Sequence, residues 1–448
     1  MLQTEKRAAL SLSLVYALRM LGLFMVLPVF SLHAGEYAGA TPVLIGLAIG
    51  IYGLTQGLFQ LPFGLLSDRI GRKSVIVAGL LIFCVGSLVA AEAETITEVI
   101  AGRALQGLGA IAAAVMALAA DLSREEVRLR IMAMIGMSIG ASFMISMVVG
   151  PVIAAGFGLR VLFWMTAGLA LLGVLVVVFI TPQPPRPRFH RDAQVSLEDV
   201  GAVLRNPELL KLGFGVGMLH LILSATFVVF PLVLVRELGV AEALHWQTYL
   251  PVFALSVLLL LPLIIVAEKF RKAQGVLRFA IGMLIMAQLG LAAGGSYGFS
   301  FLMLVLFFGA FNFLEAMLPA SVSRVAPADM KGTAMGLFSS AQFLGAFAGG
   351  LLGGYLLSQG EYSQVFTWLG ACAGVWLLVA FRMKAPRYLR SRVVSLRDLA
   401  DGDMSTFVER VSALEGVSEV CVYEMDRVAY LKVEKTFDDN KLQALLGT

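Results

Sequence analysis

Four ionisable side chains lie inside long apolar stretches of this sequence, where a charge is costly unless it faces protein or water. They are Arg19, Arg103, His220 and Glu315. Glu315 is the only acid deep within such a stretch, and burial disfavours the charged form of a carboxyl group. We therefore expect Glu315 to bind and release a proton, with Arg19 as its partner if the two side chains face each other. A static Arg19–Glu315 bridge is the alternative.

The roles of the other two groups depend on where their side chains point. Histidine changes its charge near neutral pH without help, so His220 is a candidate for proton coupling, but a lone helical His is as often a packing or substrate-contact residue. Arg103 either lines an internal cavity or extends towards the outer interface. Polar side chains in the same stretches could form an amphipathic substrate site, with ordinary packing as the alternative. These are Tyr16, Gln56, Gln60, Asn312 and Gln342.

Twelve apolar stretches carry these residues, and each is long enough to cross a bilayer as a helix. Apolar residues make up 59% of the 448 positions, charged residues only 14%, and the mean hydropathy is +0.87. Soluble chains carry about 25% charged residues, so we predict a membrane protein rather than a cytosolic enzyme, a nucleic-acid binder or a fibre. The stretches span about 9–32, 43–66, 75–91, 97–119, 132–156, 160–180, 211–235, 246–267, 275–294, 298–321, 332–357 and 363–381.

The distribution of positive charge predicts how these spans are oriented. With the amino terminus in the cytoplasm, 30 of the 34 Lys and Arg residues fall on the cytoplasmic side, and only Arg160 and Arg236 fall outside. Lys and Arg near span ends are retained in the cytoplasm. We therefore expect both termini in the cytoplasm. The first span is too long for a signal-peptide core and is expected to stay in the mature protein.

The chain divides at a polar, Pro-rich segment after the sixth span. FMVLP, which ends at Pro28, resembles FVVFP, which ends at Pro231, and Pro62 recurs as Pro262. This repetition predicts a duplicated six-helix unit of the kind that builds two-lobed transporters, with chance similarity as the alternative. The expected parts are a six-helix bundle at 1–180, a cytoplasmic linker with an amphipathic helix at 181–210, a second bundle at 211–385 and a small soluble domain at 391–448.

The turn between the second and third spans carries the sharpest motif, GLLSDRIGRK at 64–73. Its glycines permit a tight turn, and a carboxylate beside an arginine can bind the free N–H groups of another helix. A merely topogenic basic loop is the alternative. The motif resembles the cytoplasmic signature of the major facilitator superfamily in the following residues: Gly64, Asp68, Arg69, Gly71, Arg72 and Lys73.

That resemblance implies roles for several residues. Asp68 would cap the eleventh span near Lys331–Thr333 when the cavity faces outward, and Arg72 would pair with Asp121 at the end of the fourth span. The superfamily lines its cavity with the first, fourth, seventh and tenth spans, and each of these holds one of the four ionisable groups described above. The expected fold is all-helical, with twelve transmembrane helices in two pseudo-symmetric bundles.

Two further segments resemble patterns of the same superfamily. RALQGLG at 103–109 is similar to its Arg-x-x-Gln-Gly-x-Gly pattern, in which the arginine is linked to proton coupling. SMVVGPVIAA at 146–155 is similar to its antiporter pattern around Gly150 and Pro151, although other residues replace three of the glycines. Because Gly and Pro together bend a helix and admit a close neighbour, this segment would seal the cavity against protons. General helix packing is the alternative.

The C-terminal segment shows which branch of the superfamily the chain resembles. Its spacing predicts a helix, a hairpin and a second helix, with a possible first strand at 393–395, so we expect a small α+β domain. A twelve-span carrier with such an end resembles the YajR branch of bacterial drug:proton antiporters, whose tail is ferredoxin-like. This resemblance implies that the spans lie in the inner membrane of a bacterium. The tail also resembles heavy-metal-binding domains, but Cys421 alone does not supply the paired thiolates that copper or zinc requires. We therefore predict no metal and no cofactor.

These observations together predict a proton-coupled antiporter that exports small organic or drug-like molecules by alternating access. Its expected partners are a small-molecule substrate, protons and the lipid bilayer, with no nucleic acid. The oligomeric state is open, with a monomer favoured. An uptake symporter or uniporter for a sugar or organic acid is the first alternative, and a non-transporting membrane sensor with a regulatory tail is the second. An enzyme is least expected, because no nucleophile stands beside a base.

Overall fold

The structure is a computed structural model that describes residues 1–183, 197–327, 330–384, 390–396, 404–423, 428–433 and 437. Within this part, eleven helical segments are long and apolar enough to cross a membrane. One of them, a helix of 51 residues, contains the fifth and sixth predicted spans, because Gly158 joins them with a non-helical φ of 74°. The twelve predicted spans therefore appear as eleven segments.

The helices fall into two groups along the chain. The first comprises α1 (Gln3–Met25), α2 (Phe30–His33), α3 (Pro42–Ile70), α4 (Arg72–Ala91), α5 (Ile96–Leu108), α6 (Ala112–Asp121) and α7 (Glu125–Leu175), with a 3-10 turn at Ala34–Glu36 and a π turn at Val176–Ile180. The second comprises α8 (Leu197–Arg205), α9 (Pro207–Arg236), α10 (His245–Lys269), α11 (Ala273–Ala293), α12 (Tyr297–Val325), α13 (Lys331–Gln359) and α14 (Tyr362–Phe381), with a 3-10 turn at Glu242–Leu244.

Local capping explains where several of these helices begin. Thr41 accepts a hydrogen bond from the Leu44 N–H ahead of α3, and Asn206 accepts two ahead of α9. A proline follows each cap as the first helical residue, where its missing N–H costs nothing. Thr95 and Glu98 form a reciprocal capping box at the start of α5. These caps satisfy N–H groups that would otherwise be stranded near the membrane surface.

Two predicted spans are interrupted in the structure. The first ends as a regular helix at Met25 and resumes only as the short helix α2, with Pro28 in the break. The fourth divides at 109–111 into α5 and α6. Proline removes a backbone donor and glycine weakens a helix, so the local sequence permits both breaks. It does not dictate them, because Pro231, the equivalent of Pro28 in the second bundle, lies inside the continuous helix α9.

The helices form two lobes that meet along a seam between α3 and α13. In the first lobe α1 packs along α7 and α4 packs against α5; in the second α11 packs along α14 and α10 along α12. Along the seam, a Cβ on Gly350 would lie 2.5 Å from the Gly46 carbonyl oxygen, so only glycine permits this contact. Gly345 and Gly349 instead face α9 within their own lobe. The glycines of α13 therefore permit two close helix contacts, one with α3 of the other lobe and one with α9 of the same lobe.

We call the face of the molecule where α1 begins and α14 ends the proximal face, and the opposite one the distal face. The contacts across the seam extend from Pro42 and Gly354 at the distal end to Gly57 and Ser340, whose hydroxyl donates to the Gly57 carbonyl at 2.9 Å. The lobes are thus in contact over the distal part of both helices.

The C-terminal segment contains a small three-stranded sheet. Its strands are β1 (Arg390–Ser395), β2 (Val417–Tyr423) and β3 (Val428–Val433), and helix α15 (Met404–Ser412) lies between β1 and β2. β3 lies in the centre and pairs antiparallel with both neighbours, which makes β1 and β2 parallel, as in a split β–α–β unit. Phe407 and Val411 pack onto the sheet. The second helix and the turn predicted in this segment fall outside the described residues.

Candidate functional site

The second lobe holds a cluster of three polar side chains from α9, α12 and α13. The Gln342 amide nitrogen donates to Glu315 Oε1 at 3.2 Å and lies 2.8 Å from His220 Nε2. His220 Nε2 lies 3.7 Å from Glu315 Oε2. The Glu315 side chain is 40% exposed, so one edge of this cluster reaches open space while the Oε2 atom itself is buried.

Hydrogen-bond geometry assigns the protons in this cluster. His220 Nδ1 lies 3.2 Å from the Val216 carbonyl oxygen, which can only accept. The proton of a neutral imidazole therefore sits on Nδ1, and Nε2 accepts from the Gln342 amide. A proton that arrived at Nε2 would face Glu315 Oε2, which has no hydrogen bond in the described structure. The cluster thus offers two acceptor atoms for one incoming proton.

The first lobe holds a second polar network around Arg19, which is fully buried. Arg19 Nη2 donates to Gln56 Oε1 at 2.7 Å and to the Gly109 carbonyl at 2.9 Å. Gln56 also accepts from the Tyr52 hydroxyl, and its amide donates to Gln60 at 3.0 Å. Arg19 Nε and Nη1 have no hydrogen-bond partner in the part of the chain that the structure describes.

Arg103 extends this network towards α4. It is only 2% exposed and donates to Gln106 Oε1 at 2.7 Å and to the Ala48 carbonyl at 3.3 Å. Its guanidinium lies over the Tyr52 ring at 5.3 Å, and Arg19 approaches the same ring at 6.0 Å. Among the described residues neither arginine has a carboxylate partner, so this lobe buries two positive charges against amides, carbonyls and an aromatic face.

The structure does not bring Arg19 and Glu315 together. Arg19 makes its hydrogen bonds inside the first lobe, and Glu315 makes its own inside the second. The bridge offered from the sequence as one alternative is therefore absent in this conformation. The reason is competition: amides and a backbone carbonyl within each lobe satisfy these groups locally, and residue type alone does not reveal such partners.

The five predicted substrate residues separate into three environments. Gln56 and Gln60 are buried in the first-lobe network, and Tyr16 is buried beside them in the core of the same lobe. Gln342 belongs to the second-lobe cluster, and the Asn312 amide donates to Ser256 at 3.0 Å. Tyr52, which connects the two arginines, was not singled out from the sequence. Its position three residues before Thr55 on an apolar helix gives no signal of that role.

An aromatic cluster also lies between the lobes, and the sequence did not predict that its rings converge. Phe143 of α7 contacts Phe24 within its own lobe at a centroid distance of 5.0 Å. Across the lobe boundary it contacts Phe227, Phe253 and Phe308 at 6.3, 5.4 and 6.3 Å. Aromatic residues on apolar helices are so common that their convergence appears only in three dimensions. The cluster closes the space between the lobes with polarisable apolar surface.

The motif at 64–73 forms a charged junction on the proximal face. Arg72 pairs with Asp68, and its Nε lies 3.3 Å from Asp121 Oδ2, the pairing that the resemblance implied. Arg72 Nη1 also donates to Ser67 at 2.7 Å. Gly71 has a φ of 97°, which ends α3 and starts α4 without strain only because it has no side chain.

The remaining motif residues support the same junction. Lys73 donates to the Thr181 carbonyl at 2.9 Å, and Gly64 accepts from the Ser67 hydroxyl at 2.7 Å. Arg69 is exposed and has no partner among the described residues. Asp68 is paired with Arg72 here, and the residue before α13, Met330, provides no side-chain cap for that helix. The resemblance implied that Asp68 caps this helix only in the state whose cavity faces outward.

Replacing Arg72 with Ala should destabilise the first lobe. The change leaves Asp68 and Asp121 facing each other without their common cation, and removing one partner of a partly buried charged cluster costs about 2 kcal/mol. We expect a lower apparent melting temperature of the purified protein in detergent. Arg69→Ala is the matched control, because Arg69 is exposed, and it should leave the melting temperature nearly unchanged. Equal melting temperatures for both variants would contradict the role of this junction.

The second lobe carries a related ion pair, in which the acid at the end of the second span of the bundle is kept and the acid at the end of the fourth span is replaced by an arginine. Glu268 at the end of α10 pairs with Arg324 at the end of α12 at 2.8 Å. These residues occupy the positions in the second bundle that Asp68 and Asp121 occupy in the first. Both lobes thus have an ion pair between these two span ends on the proximal face, directly in the second lobe and through Arg72 in the first.

Gly150 marks a close contact within the first lobe. A Cβ at this position would lie 2.5 Å from the Met25 carbonyl oxygen, so α7 approaches the end of α1 where only glycine fits. Pro151 follows it inside α7. The nearby Ser146 hydroxyl donates to the Leu21 carbonyl at 3.0 Å. This part of the predicted antiporter segment therefore seals α7 against α1.

Comparisons with known proteins agree with this architecture. The sequence profile described as Major Facilitator Superfamily matches residues 12–349 and 212–398. The Inner membrane transport protein YajR of Escherichia coli (strain K12) is 44% identical over 431 residues, covering 96% of this chain and 94% of that protein. The Multidrug resistance protein MdtH of Aeromonas salmonicida (strain A449) is 26% identical, covering 78% and 88%.

A solved structure gives the same fold. The crystal structure of a bacterial homolog of the human lysosomal transporter Spinster, in an inward-facing and occupied conformation, aligns with a TM-score of 0.72 at 14% identity. The alignment covers 85% of this chain and 97% of that one. At such low identity the likeness concerns the fold alone.

Proposed function

Because this chain belongs to the major facilitator superfamily, we propose that it is a proton-coupled antiporter that exports small drug-like organic molecules. A transport role rests on the family and on its relatives, which are membrane transporters and not enzymes. The chain is a multi-pass membrane protein of the superfamily fold. Proton coupling, antiport and the class of substrate are the parts that we propose.

The cluster of Glu315, His220 and Gln342 carries the proposal. Ionised Glu315 accepts a hydrogen bond from Gln342, and the exposed edge of its side chain gives protons a way in. Once protonated, the carboxyl group loses its charge and becomes a donor, so the bond from Gln342 at Oε1 competes with the new proton. Because the three side chains come from α9, α12 and α13, a change in their bonding alters how these helices pack. Proton binding and substrate binding would then favour different packings of these three helices, so that each weakens the other.

The aromatic cluster around Phe143 supports an apolar or amphipathic substrate. Large flat rings with few fixed polar partners bind organic molecules by contact area and tolerate varied shapes. MdtH, a relative at 26% identity, is named for multidrug resistance. Both observations favour drug-like molecules over sugars, which require a dense set of hydrogen-bond partners.

The charge distribution supports a bacterial inner membrane with the proximal face in the cytoplasm. By the predicted topology nearly all the Lys and Arg residues fall on that side of the membrane, and the described ones include Arg72 in the proximal junction. YajR, the relative at 44% identity, is named as an inner membrane protein. In this arrangement both termini, the linker at 181–210 and the domain at 391–448 are cytoplasmic. We also propose that the bundles at 1–180 and 211–385 of one chain function together as a monomer.

Purified protein in acid-loaded proteoliposomes tests the proposal. Compounds from a drug-like library are added outside while a dye reports the internal pH. Antiport predicts that a transported compound makes the interior more alkaline, because protons leave as the compound enters. Compounds that enter without any change in internal pH would contradict proton coupling, and entry that requires acid outside would indicate symport instead.

The two buried arginines favour uptake of an organic anion as the second candidate. Arg19 and Arg103 have no carboxylate partner among the described residues, and a substrate carboxylate or phosphate would neutralise them. The direction of the pH change in the same vesicles separates this symport from export. In that case anionic compounds, rather than neutral or cationic ones, should be transported.

A further inference from the structure

A second titratable cluster lies on the distal face, where the two lobes touch. His33 ends α2 in the first lobe, and its Nε2 lies 2.7 Å from Oε1 of Glu242 in the second lobe. Its Nδ1 lies 3.2 Å from Glu36 Oε1 in its own lobe. Each ring nitrogen therefore faces a carboxylate. A neutral imidazole donates from only one nitrogen, whereas the protonated ring donates from both, so this geometry fits the imidazolium ion.

The cluster is sheltered but remains in contact with solvent. The side chains of His33 and Glu242 are 17% and 19% exposed, whereas Glu36 is 77% exposed. A cavity of about 580 Å³ opens between the lobes beside it, lined by Ser31, Leu32 and Gly35 from the first lobe and by residues of α9 and α14 from the second. Because the side chains of the cluster themselves keep some exposure, protons from the distal solution can reach His33 while the lobes stay in contact.

The basic side chains near the cluster on other elements have partners of their own or are buried. Arg236 at the end of α9 donates to the Tyr362 hydroxyl at 3.1 Å, and Arg160 of α7 pairs with Glu92. His245, three residues after Glu242, is fully buried. The same distal region also carries the acidic residues Glu237 and Glu361. The surroundings of His33 are therefore more acidic than basic, which favours its charged form.

We propose that His33, held between Glu36 and Glu242, is a second proton-binding site that latches the distal face closed. Opening that face separates His33 from Glu242, so the closed state binds the proton more tightly than the open one. By linkage, protons in the distal solution then stabilise closure. The stabilisation is present at acidic pH and is lost as the pH rises through the range where histidine gives up its charge.

The latch goes beyond the proposed function, because it concerns the distal lobe contact rather than the cluster at Glu315. If the distal face is the outer one, an acidic exterior would drive the carrier towards the state that opens to the cytoplasm. That is the direction an exporter needs in order to collect its substrate. The latch would act in the same way in a symporter, so it does not depend on antiport.

Spin labels across the distal face test the latch. Thr97→Cys and Gly298→Cys place exposed labels at the distal ends of α5 and α12 in a variant without the native cysteines. The distances between the two spin labels, measured in nanodiscs between pH 5 and 8, report the populations with the distal face closed and open. We expect the ratio of closed to open protein to fall at least about fivefold as the pH rises, in keeping with typical coupling energies.

Two substitutions at one position keep the test independent of folding. His33→Gln should remove the pH dependence of the distance, and His33→Arg, which carries a permanent charge, should keep the face closed at pH 8. Both are measured again with Glu315→Gln, which separates the latch from any response of the other cluster. An unchanged pH response in His33→Gln would overturn the proposal, as would a His33→Arg protein that opens at pH 8 like the parent.

Discussion

Replacing Glu315 with Gln should reduce transport driven by a pH gradient at least about tenfold, within the range of typical coupling energies. The amide has nearly the same shape as the carboxyl group but binds no proton, so the hydrogen bond with Gln342 no longer depends on pH. Exchange of labelled for unlabelled substrate, which moves no net proton, should continue. Both rates are measured in the same preparation of proteoliposomes with the first transported compound that the library reveals.

Two controls separate this effect from a general loss of acid or of fold. Glu94→Gln removes an exposed loop carboxylate whose side chain has no hydrogen bond in the described structure, and it should transport like the parent. Glu315→Asp keeps a proton-binding group and should retain part of the coupled rate. Gradient-driven transport that survives Glu315→Gln unchanged would assign the proton to another group.

Replacing Gly350 with Val should block the cycle by opening the seam between the lobes. The first added carbon would already lie 2.5 Å from the Gly46 carbonyl oxygen and 2.8 Å from the Gly50 nitrogen, and backbone atoms cannot rotate away. Overpacking of this kind costs about 1–3 kcal/mol, which disfavours the distal-closed state roughly 5- to 150-fold. The spin-label distance across the distal face should lengthen, and transport should fall by a similar factor.

Gly374→Val is the matched control for the seam. Gly374 lies on α14 in the same lobe, and a Cβ there meets no heavy atom within 4 Å. The same substitution at that site should leave both the distance and the rate close to those of the parent. If Gly350→Val protein closes its distal face normally, then the α3–α13 contact does not limit the conformational change.

The membrane fold could be predicted from the sequence because it depends on a simple local quantity. A stretch of about 20 apolar residues is stable across hydrocarbon only as a helix, since every backbone group must find its partner within the segment. The prediction of an all-helical fold with two repeated bundles and a small α+β end is confirmed. Among the described spans the differences concern continuity: two spans are interrupted, near Pro28 and Gly109, and two others are joined at Gly158 without a gap.

The sites were less predictable, because a buried polar group takes the nearest partner that the fold supplies. The sequence identified Arg19, Arg103, His220 and Glu315 as costly charges that require an explanation, and all four do lie against polar partners. It did not indicate that Arg19 would bond to Gln56 rather than to Glu315. A charge in a low-dielectric interior is satisfied by whatever donor or acceptor lies within about 3 Å.

The sequence by itself predicted the membrane spans, indicated the repeat and identified the buried charges that need polar partners, and the family resemblance implied the proximal charge junction. Only the tertiary structure decided which of them meet: the cluster of Glu315 with Gln342 and His220, the aromatic closure at Phe143, and the distal contact of His33 with Glu242. The physical reason is the separation along the chain over which each interaction acts. Hydropathy and capping act over a few neighbouring residues, whereas these contacts join helices 27 to 209 residues apart in the chain.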